Sequence, residues 1–230
     1  SQIGEYFRLN IEATGDNAAR LEALRTQTSE RIHAVYEDKY LLVFTDKAEW
    51  FASNRTIEQG KPLNWVRTST NGIQPHVEPV EMEGRVFYVS GNEAASTDPN
   101  QGQVLYSANY DDVSTRYSSK PESLLGSHLV DRINNSKLQK KVRKNNASRW
   151  WLPSATGRLT CALVILDQDI LALVEWVAAD GGKVRGLSVD GQNKVWLTVE
   201  RGATITHEVM EEQDVNLFQG AVDTTTDLAG

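Results

Sequence analysis

Two pairs of aspartates come closest, by type and spacing, to a catalytic arrangement. Asp111 and Asp112 lie in NYDDVSTRY, and Asp167 and Asp169 lie in LDQD. Two carboxylates on neighbouring loops can serve as the acid and the nucleophile of a glycoside hydrolase. Aspartates also begin turns, because their side chains accept hydrogen bonds from nearby backbone N–H groups. We favour the turn interpretation and predict that the chain is not an enzyme.

The histidines and the one cysteine show no spacing that is typical of a metal site or a catalytic nucleophile. No HxxxH or CxxC motif links the four histidines, which are His33, His76, His128 and His207. Cys161 lies in the apolar run TCALVIL, which predicts a buried and unreactive thiol. The sequence has no GxSxG, Walker or GxGxxG motif. We therefore predict no metal and no cofactor.

Positive charge is concentrated in residues 137–149, KLQKKVRKNNASR, which we call the basic segment. It holds six cations and no acid: Lys137, Lys140, Lys141, Arg143, Lys144 and Arg149. This segregation is unusual in a chain whose formal net charge is -7. The segment could contact DNA phosphates, with an attraction that is weak, sensitive to salt and independent of sequence. The alternative, which we favour, is a solvated loop that keeps the surface soluble.

The composition is that of a folded protein, with 40% hydrophobic and 24% charged residues. A length of 230 residues suits one large all-β domain or two small domains. The negative net charge argues against a surface that grips nucleic acid over its whole face. The apolar stretches are far too short to span a membrane, so we predict no membrane insertion. The absence of an initial methionine suggests a processed product or a piece of a longer protein.

Short strands separated by turns dominate the sequence. Strand–turn–strand units are predicted at 40–53, 77–90 and 149–166, and four successive strands at 170–209. The turns are placed at Asp46-Lys47, Glu83-Gly84, Pro153 to Gly157, Asp180-Gly181-Gly182, Asp190-Gly191 and Arg201-Gly202. Such a series predicts an antiparallel meander, as in a sandwich, a barrel or a propeller. Units of about 40 to 45 residues divide the chain into roughly five propeller blades, the arrangement that we prefer.

Two segments have helical character. Residues 15–27, GDNAARLEALRTQ, combine good helix formers with apolar residues at helical spacing. Residues 120–144 predict a short helix followed by an irregular loop, since Gly126 weakens a longer helix. The predicted fold class is therefore all-β: an antiparallel β-meander with propeller-like blades and one or two short helices.

The order of several segments resembles the tail nozzle proteins of short-tailed double-stranded DNA phages, also called tail tubular protein B or packaged-DNA stabilisation proteins. The matching segments are LLVFTDKAEWFAS, STNGIQPHVEPVEMEGRVFYVS, GQVLYSANYDDVSTRYSSKPESLLGSHLVD and RWWLPSATGRLTCALVILDQDILALVEWVAADGGKVRGLSVDGQNKVWLTVERG. The resemblance covers roughly residues 30–230. One departure is KLQKKVRKNNASRWWLP, which stands where family members usually carry YQQEPDS before a G-x-L strand.

The resemblance implies a structural subunit of the phage tail, without catalytic residues. Such subunits form a ring, a hexamer in this family, at the distal end of the tail tube. The ring meets adaptor or portal-side proteins, lets double-stranded DNA pass without sequence specificity, and helps to retain the genome before ejection. The protein would be made in the bacterial cytoplasm and located in the virion. The basic segment would then bind a neighbouring subunit, the adaptor ring or DNA.

The resemblance also implies a division of the chain. Residues 1–205 would form the propeller-like domain, and residues 206–230 would be a C-terminal segment leading to a further β-domain. The closing AVDTTTDLAG resembles the point at which such chains leave the propeller.

The alternative function is a cell-surface β-propeller module that binds carbohydrate or acts like a glycoside hydrolase. Asp111, Asp112 or the tryptophans would then form its site. It requires two carboxylates at glycosidase separation, or tryptophans exposed together on one face. The six tryptophans lie mainly on predicted strands with alternating polarity, where core packing is the ordinary explanation.

Overall fold

The computed structural model describes residues 24, 26, 28–54, 56, 61–91, 103–140, 147–165 and 170–210. In these residues, consecutive antiparallel strands form four sheets, which we number 1 to 4 in chain order. The predicted all-β antiparallel meander is therefore confirmed. The helix predicted at 15–27 falls almost entirely outside the described residues, as do Asp167 and Asp169.

Sheet 1 contains β1 (Ile32–Glu37), β2 (Leu41–Thr45), β3 (Glu49–Ala52) and β4 (Trp65–Ser69), paired in that order. β2 and β3 form the hairpin predicted around Asp46-Lys47. The Thr45 hydroxyl closes this turn, because it accepts a hydrogen bond from the Ala48 N–H at 2.9 Å and donates one to the Ala48 carbonyl at 2.8 Å.

Sheet 2 contains β5 (Val80–Met82), β6 (Arg85–Val89), β7 (Leu105–Asp111) and β8 (Arg116–Pro121), again in sequence order. The turn between β5 and β6 lies at Glu83-Gly84, as predicted. Both residues have positive φ, 53° and 79°. Two central residues with φ > 0 match the right-handed twist of the strands in a two-residue hairpin.

Sheet 3 contains β9 (Lys137–Gln139), β10 (Ser148–Pro153), β11 (Leu159–Ile165) and β12 (Ile170–Trp176). A short 3-10 helix at Leu124–Leu129 precedes it, which confirms the short helix within 120–144. The irregular loop predicted after that helix is wrong at Lys137–Gln139. These residues form an edge strand, because their backbone pairs with β10 and Leu138 packs against the apolar core.

Within the described residues, sheet 4 contains β13 (Lys183–Val189), β14 (Val195–Arg201) and β15 (Thr204–Met210), one strand fewer than each of the other sheets. With β12, these are the four successive strands predicted at 170–209. A 3-10 helix at Ala179–Gly181 occupies the first of the predicted turns. The domain boundary predicted between residues 205 and 206 falls inside β15.

Apolar clusters join each sheet to the next along the chain. Sheets 1 and 2 meet through Phe44, Phe51, Tyr88 and Tyr117 and their neighbours, all nearly inaccessible to solvent. We call this contact the first seam. These four rings also form two pairs, one edge to face and one tilted. Such pairs stabilise the fold beyond the contribution of the apolar area that they bury. The first seam is therefore a packed core and not a loose contact between two sheets.

The two adjacent tryptophans of β10 connect sheet 3 to both of its neighbours. Because side chains alternate along a strand, Trp150 faces the cluster shared with sheet 2 and Trp151 faces the cluster shared with sheet 4. Trp150 is 0% exposed and Trp151 is 1% exposed. The fold therefore places two fully buried tryptophans on opposite faces of one strand.

The described residues form four sheets, where the spacing of turns predicts roughly five blades. Among these residues no apolar cluster joins sheet 1 to sheet 4. Closure of the sheets into a propeller ring therefore stays a prediction. A search of the same residues finds no helix that is both long and apolar enough to cross a membrane.

Candidate functional site

The basic segment begins on an edge strand and ends on its partner. Lys137 lies on β9 and Arg149 on β10, where Arg149 pairs with Gln139. Lys140 follows β9 and is exposed. The structure therefore places Lys137, Lys140 and Arg149 on, or directly after, the paired strands β9 and β10. The other three predicted cations, Lys141, Arg143 and Lys144, lie outside the described residues.

We call residues 137–140 and 147–149, the described parts of the basic segment, its root. Asn193, in the turn between β13 and β14, fixes this root to sheet 4. The Lys140 N–H donates to Asn193 Oδ1 at 3.1 Å, and Asn193 Nδ2 donates to the Lys140 carbonyl at 2.7 Å. Gln139 Nε2 donates to the Asn193 carbonyl at 3.0 Å and Gln139 Oε1 accepts from Trp151 Nε1 at 3.0 Å. The root therefore has a defined position, which a freely solvated loop would lack.

The charges at this root remain accessible. Lys137 Nζ lies 3.9 Å from Glu78 Oε2, and the Glu78 side chain is 77% exposed. Ion pairs this exposed contribute little to stability, since water and salt screen them. The Lys140 side chain is exposed as well. The root can therefore present cations to a phosphate or to an acidic surface.

We expect neutralisation of the root to weaken retention on immobilised DNA. The variant Lys137→Gln, Lys140→Gln, Arg149→Gln removes three charges from neighbouring strands. The slope of the logarithm of the binding constant against the logarithm of salt concentration should therefore become shallower by about 0.9 for each phosphate that the protein no longer neutralises. A matched control, Arg116→Gln, Lys120→Gln, Lys183→Gln, removes three exposed charges elsewhere. An equal decrease in both variants would show that only net charge matters and that the basic segment has no particular affinity for DNA.

Asp111 and Asp112 are engaged in the turn that joins β7 to β8. Asp111 Oδ1 accepts from the Val113 N–H at 3.0 Å, and Oδ2 accepts from the Ser114 N–H at 3.3 Å. Hydrogen bonds from the Ser114 side chain, and then from the Val113 backbone, lower the pKa of Asp111. Asp112 pairs with Lys39. These hydrogen bonds match the turn interpretation. The lowered pKa of Asp111 also differs from that of the general acid of a glycoside hydrolase, which needs a raised pKa.

The tryptophans do not form an exposed aromatic face. All six lie in described residues, and Trp196 is the only one of them with an exposed side chain, at 38%. Its Nε1 donates to Asp190 Oδ2 at 2.9 Å, which holds the ring over the turn DGQNK. Trp50, Trp150 and Trp151 are buried, as expected for core packing.

The histidines and Cys161 are not brought together. Within the described part of the chain, no group of three or more His, Cys, Asp or Glu side chains could hold a metal ion. Cys161 is 1% exposed, and burial raises the pKa of its thiol to about 12. The prediction of a buried thiol is confirmed.

A polar cluster around the buried side chains of Glu49 and Tyr88 lies in the first seam and was not predicted. Glu49 of β3 is 2% exposed, and its Oε2 accepts a hydrogen bond from the Ser69 hydroxyl of β4. Asn71 Nδ2 donates to Ser69 Oγ at 3.3 Å and to the Tyr88 hydroxyl at 3.0 Å. The Tyr88 hydroxyl donates to Ser119 Oγ at 3.0 Å. These five side chains link sheets 1 and 2, and we call them the Glu49 cluster.

The protonation equilibrium of the Glu49 carboxyl is shifted towards the neutral form. Burial raises its pKa to about 7, although the hydrogen bond from Ser69 and the backbones of Asn71 and Gly72 oppose the shift. Burial and the charge of Glu49 also raise the pKa of Tyr88. Among the described residues, no hydrogen-bond partner is found for Glu49 Oε1.

A comparison with known protein families found no match to this chain, and neither did a comparison with curated proteins. The resemblance to phage tail nozzle proteins therefore stays a prediction.

The sequence contained one signal for the Glu49 cluster. Glu49 stands between Ala48 and Trp50 and is two residues from Phe51, so strand periodicity places it on the same face as Phe51. An acid on the apolar face of a short strand indicates a buried carboxyl. The partners Ser69, Tyr88 and Ser119 lie 20, 39 and 70 residues away, and no local pattern connects them.

Proposed function

We propose that this chain is a structural component of a phage tail, a nozzle or hub subunit that forms part of a DNA conduit. The observation that carries this proposal is the order of the segments that resemble tail nozzle proteins. AEW lies at the start of β3, VEMEGRVFYV in the β5–β6 hairpin, YDD at the end of β7, and VWLTVER in β14. Segments that resemble the family thus fall on strands and hairpins of the described structure.

The architecture supports a mechanical function. Three apolar seams hold the four sheets in sequence, and the side chains within them are almost completely buried. Dense interiors of this kind have low compressibility and transmit strain. A subunit that must keep its shape while DNA is packaged behind it needs this property more than it needs a reactive group.

The charge also suits a conduit. With a formal net charge of -7, most of the surface repels DNA. DNA can therefore slide past it, because few cations neutralise phosphates and release counterions to hold the polymer. The basic segment is a local exception. In this proposal it contacts a neighbouring subunit, the adaptor ring or passing DNA, and the protein is located in the virion.

The proposal predicts self-association of the full chain. Light scattering coupled to size exclusion should give the mass of a closed assembly, with six copies implied by the resemblance. The mass should stay constant over a wide concentration range, because a cyclic ring has no free interface left for growth. A mass of one copy at every concentration would contradict the proposal.

A further inference from the structure

The Glu49 cluster is an ionisable contact in the first seam, around a carboxyl that is 2% exposed. Sheet 1 contributes Glu49 and Ser69, sheet 2 contributes Tyr88 and Ser119, and Asn71 comes from the chain between the sheets. Ser119 Oγ also lies 3.4 Å from Ser69 Oγ, which closes the cluster across the seam. Opening the seam at this point would expose Glu49 and Tyr88, the two buried members of the cluster, to water.

No positive charge compensates Glu49 in the described structure. The groups that face its carboxyl are the Ser69 hydroxyl from β4, the backbones of Asn71 and Gly72, and Tyr88 from β6. Within the described residues, Glu49 forms no salt bridge. An ionised Glu49 would be a buried charge with one oxygen unpaired, and such a charge is costly unless it is paired or hydrated.

We propose that Glu49 is a proton-operated latch between sheets 1 and 2. With the proton bound, the carboxyl is neutral and the first seam stays closed. When the proton leaves to solvent, the charge draws water into the cluster and the seam loosens between β4 and β8. The latch acts within the subunit, so it holds whether or not the chain assembles into a ring.

The sign of the effect follows from the raised pKa. The unfolded chain has an ordinary glutamate pKa near 4.5, and the folded value is about 7. The stabilisation is therefore fully present below the unfolded pKa and is lost as the pH rises through about 7. Between pH 5.5 and 8.5 the ratio of folded to unfolded protein should fall roughly thirtyfold through this one group.

Urea unfolding of the full chain between pH 5.5 and 8.5 tests the latch. Glu49→Gln keeps the shape and removes the charge, so the thirtyfold loss should disappear. Glu208→Gln is the matched control, because Glu208 is also buried but pairs with Arg201 and has a lowered pKa. The control should leave the pH dependence in this range unchanged. If Glu49→Gln shows the same loss as wild type, the latch is refuted.

A second variant keeps the test decisive should Glu49→Gln fold poorly. Ser69→Ala removes the hydrogen bond that lowers the pKa of Glu49, so the loss of stability should move to higher pH. Hydrogen exchange, corrected for intrinsic rates, should show protection falling above pH 7 more steeply in β4 and β8 than in β14, because opening of the seam adds to global unfolding there. An equal loss of protection in β4, β8 and β14, or an unshifted profile in Ser69→Ala, would contradict the proposal.

Discussion

Replacing either Trp150 or Trp151 by alanine should lower the free energy of unfolding by about 3–5 kcal/mol, the usual cost of removing a fully buried tryptophan. Each indole fills a different seam, Trp150 between sheets 2 and 3 and Trp151 between sheets 3 and 4. Trp151→Ala also leaves Gln139 Oε1 without the indole donor, in a side chain that is itself buried. We therefore expect Trp151→Ala to be at least as destabilising as Trp150→Ala.

Chemical denaturation measures the loss of stability in each variant, and hydrogen exchange shows which seam each tryptophan stabilises. Trp150→Ala should reduce protection most in β6 and β11, and Trp151→Ala should do so in β11 and β14. Trp196→Ala is the control, because that ring is 38% exposed and its removal should cost about 1 kcal/mol or less. Similar destabilisation in all three variants would contradict the assignment of one buried indole to each seam.

Replacing Gly72 by alanine should cost about 2–5 kcal/mol, the sum of a backbone term and a steric term. Gly72 has a φ of +69°, and a Cβ there would lie 2.4 Å from the Asp46 carbonyl oxygen in the β2–β3 turn. The left-handed backbone costs about 1–2 kcal/mol for a non-glycine residue. The clash with backbone adds about 1–3 kcal/mol, because the turn of sheet 1 must move.

Gly84→Ala is the matched control for this prediction. Gly84 has a φ of +79°, but nothing lies within 4 Å of the position that a Cβ would take there. Only the backbone term remains, about 1–2 kcal/mol. Thermal unfolding should therefore place the midpoint of Gly72→Ala clearly below that of Gly84→Ala, and equal midpoints would show that the close approach to Asp46 is not important.

Local chemistry explains why the strands and turns were predictable. Glu83-Gly84 is a two-residue turn with positive φ, and the alternation in VWLTVE places Val195, Leu197 and Val199 on the buried face of β14. Each of these features depends on a few neighbouring residues. The sequence therefore predicts the hairpins correctly along most of the described chain.

The seams and the sites depend on residues that are distant in sequence. Lys137–Gln139 forms a strand because β10 offers a pairing edge, although the local sequence is polar and basic. The burial of Glu49 depends on Tyr88 and Ser119, which reach it only after sheet 2 has packed on sheet 1. Tertiary packing overrode local propensity in both cases.

Electron microscopy of the purified full chain tests the central claim most directly, namely that the protein is a structural ring subunit around a DNA path. We expect ring-shaped particles of uniform size, with an axial opening wide enough to admit a DNA duplex. Particles of a single copy, or two-fold dimers without an opening, would contradict this claim.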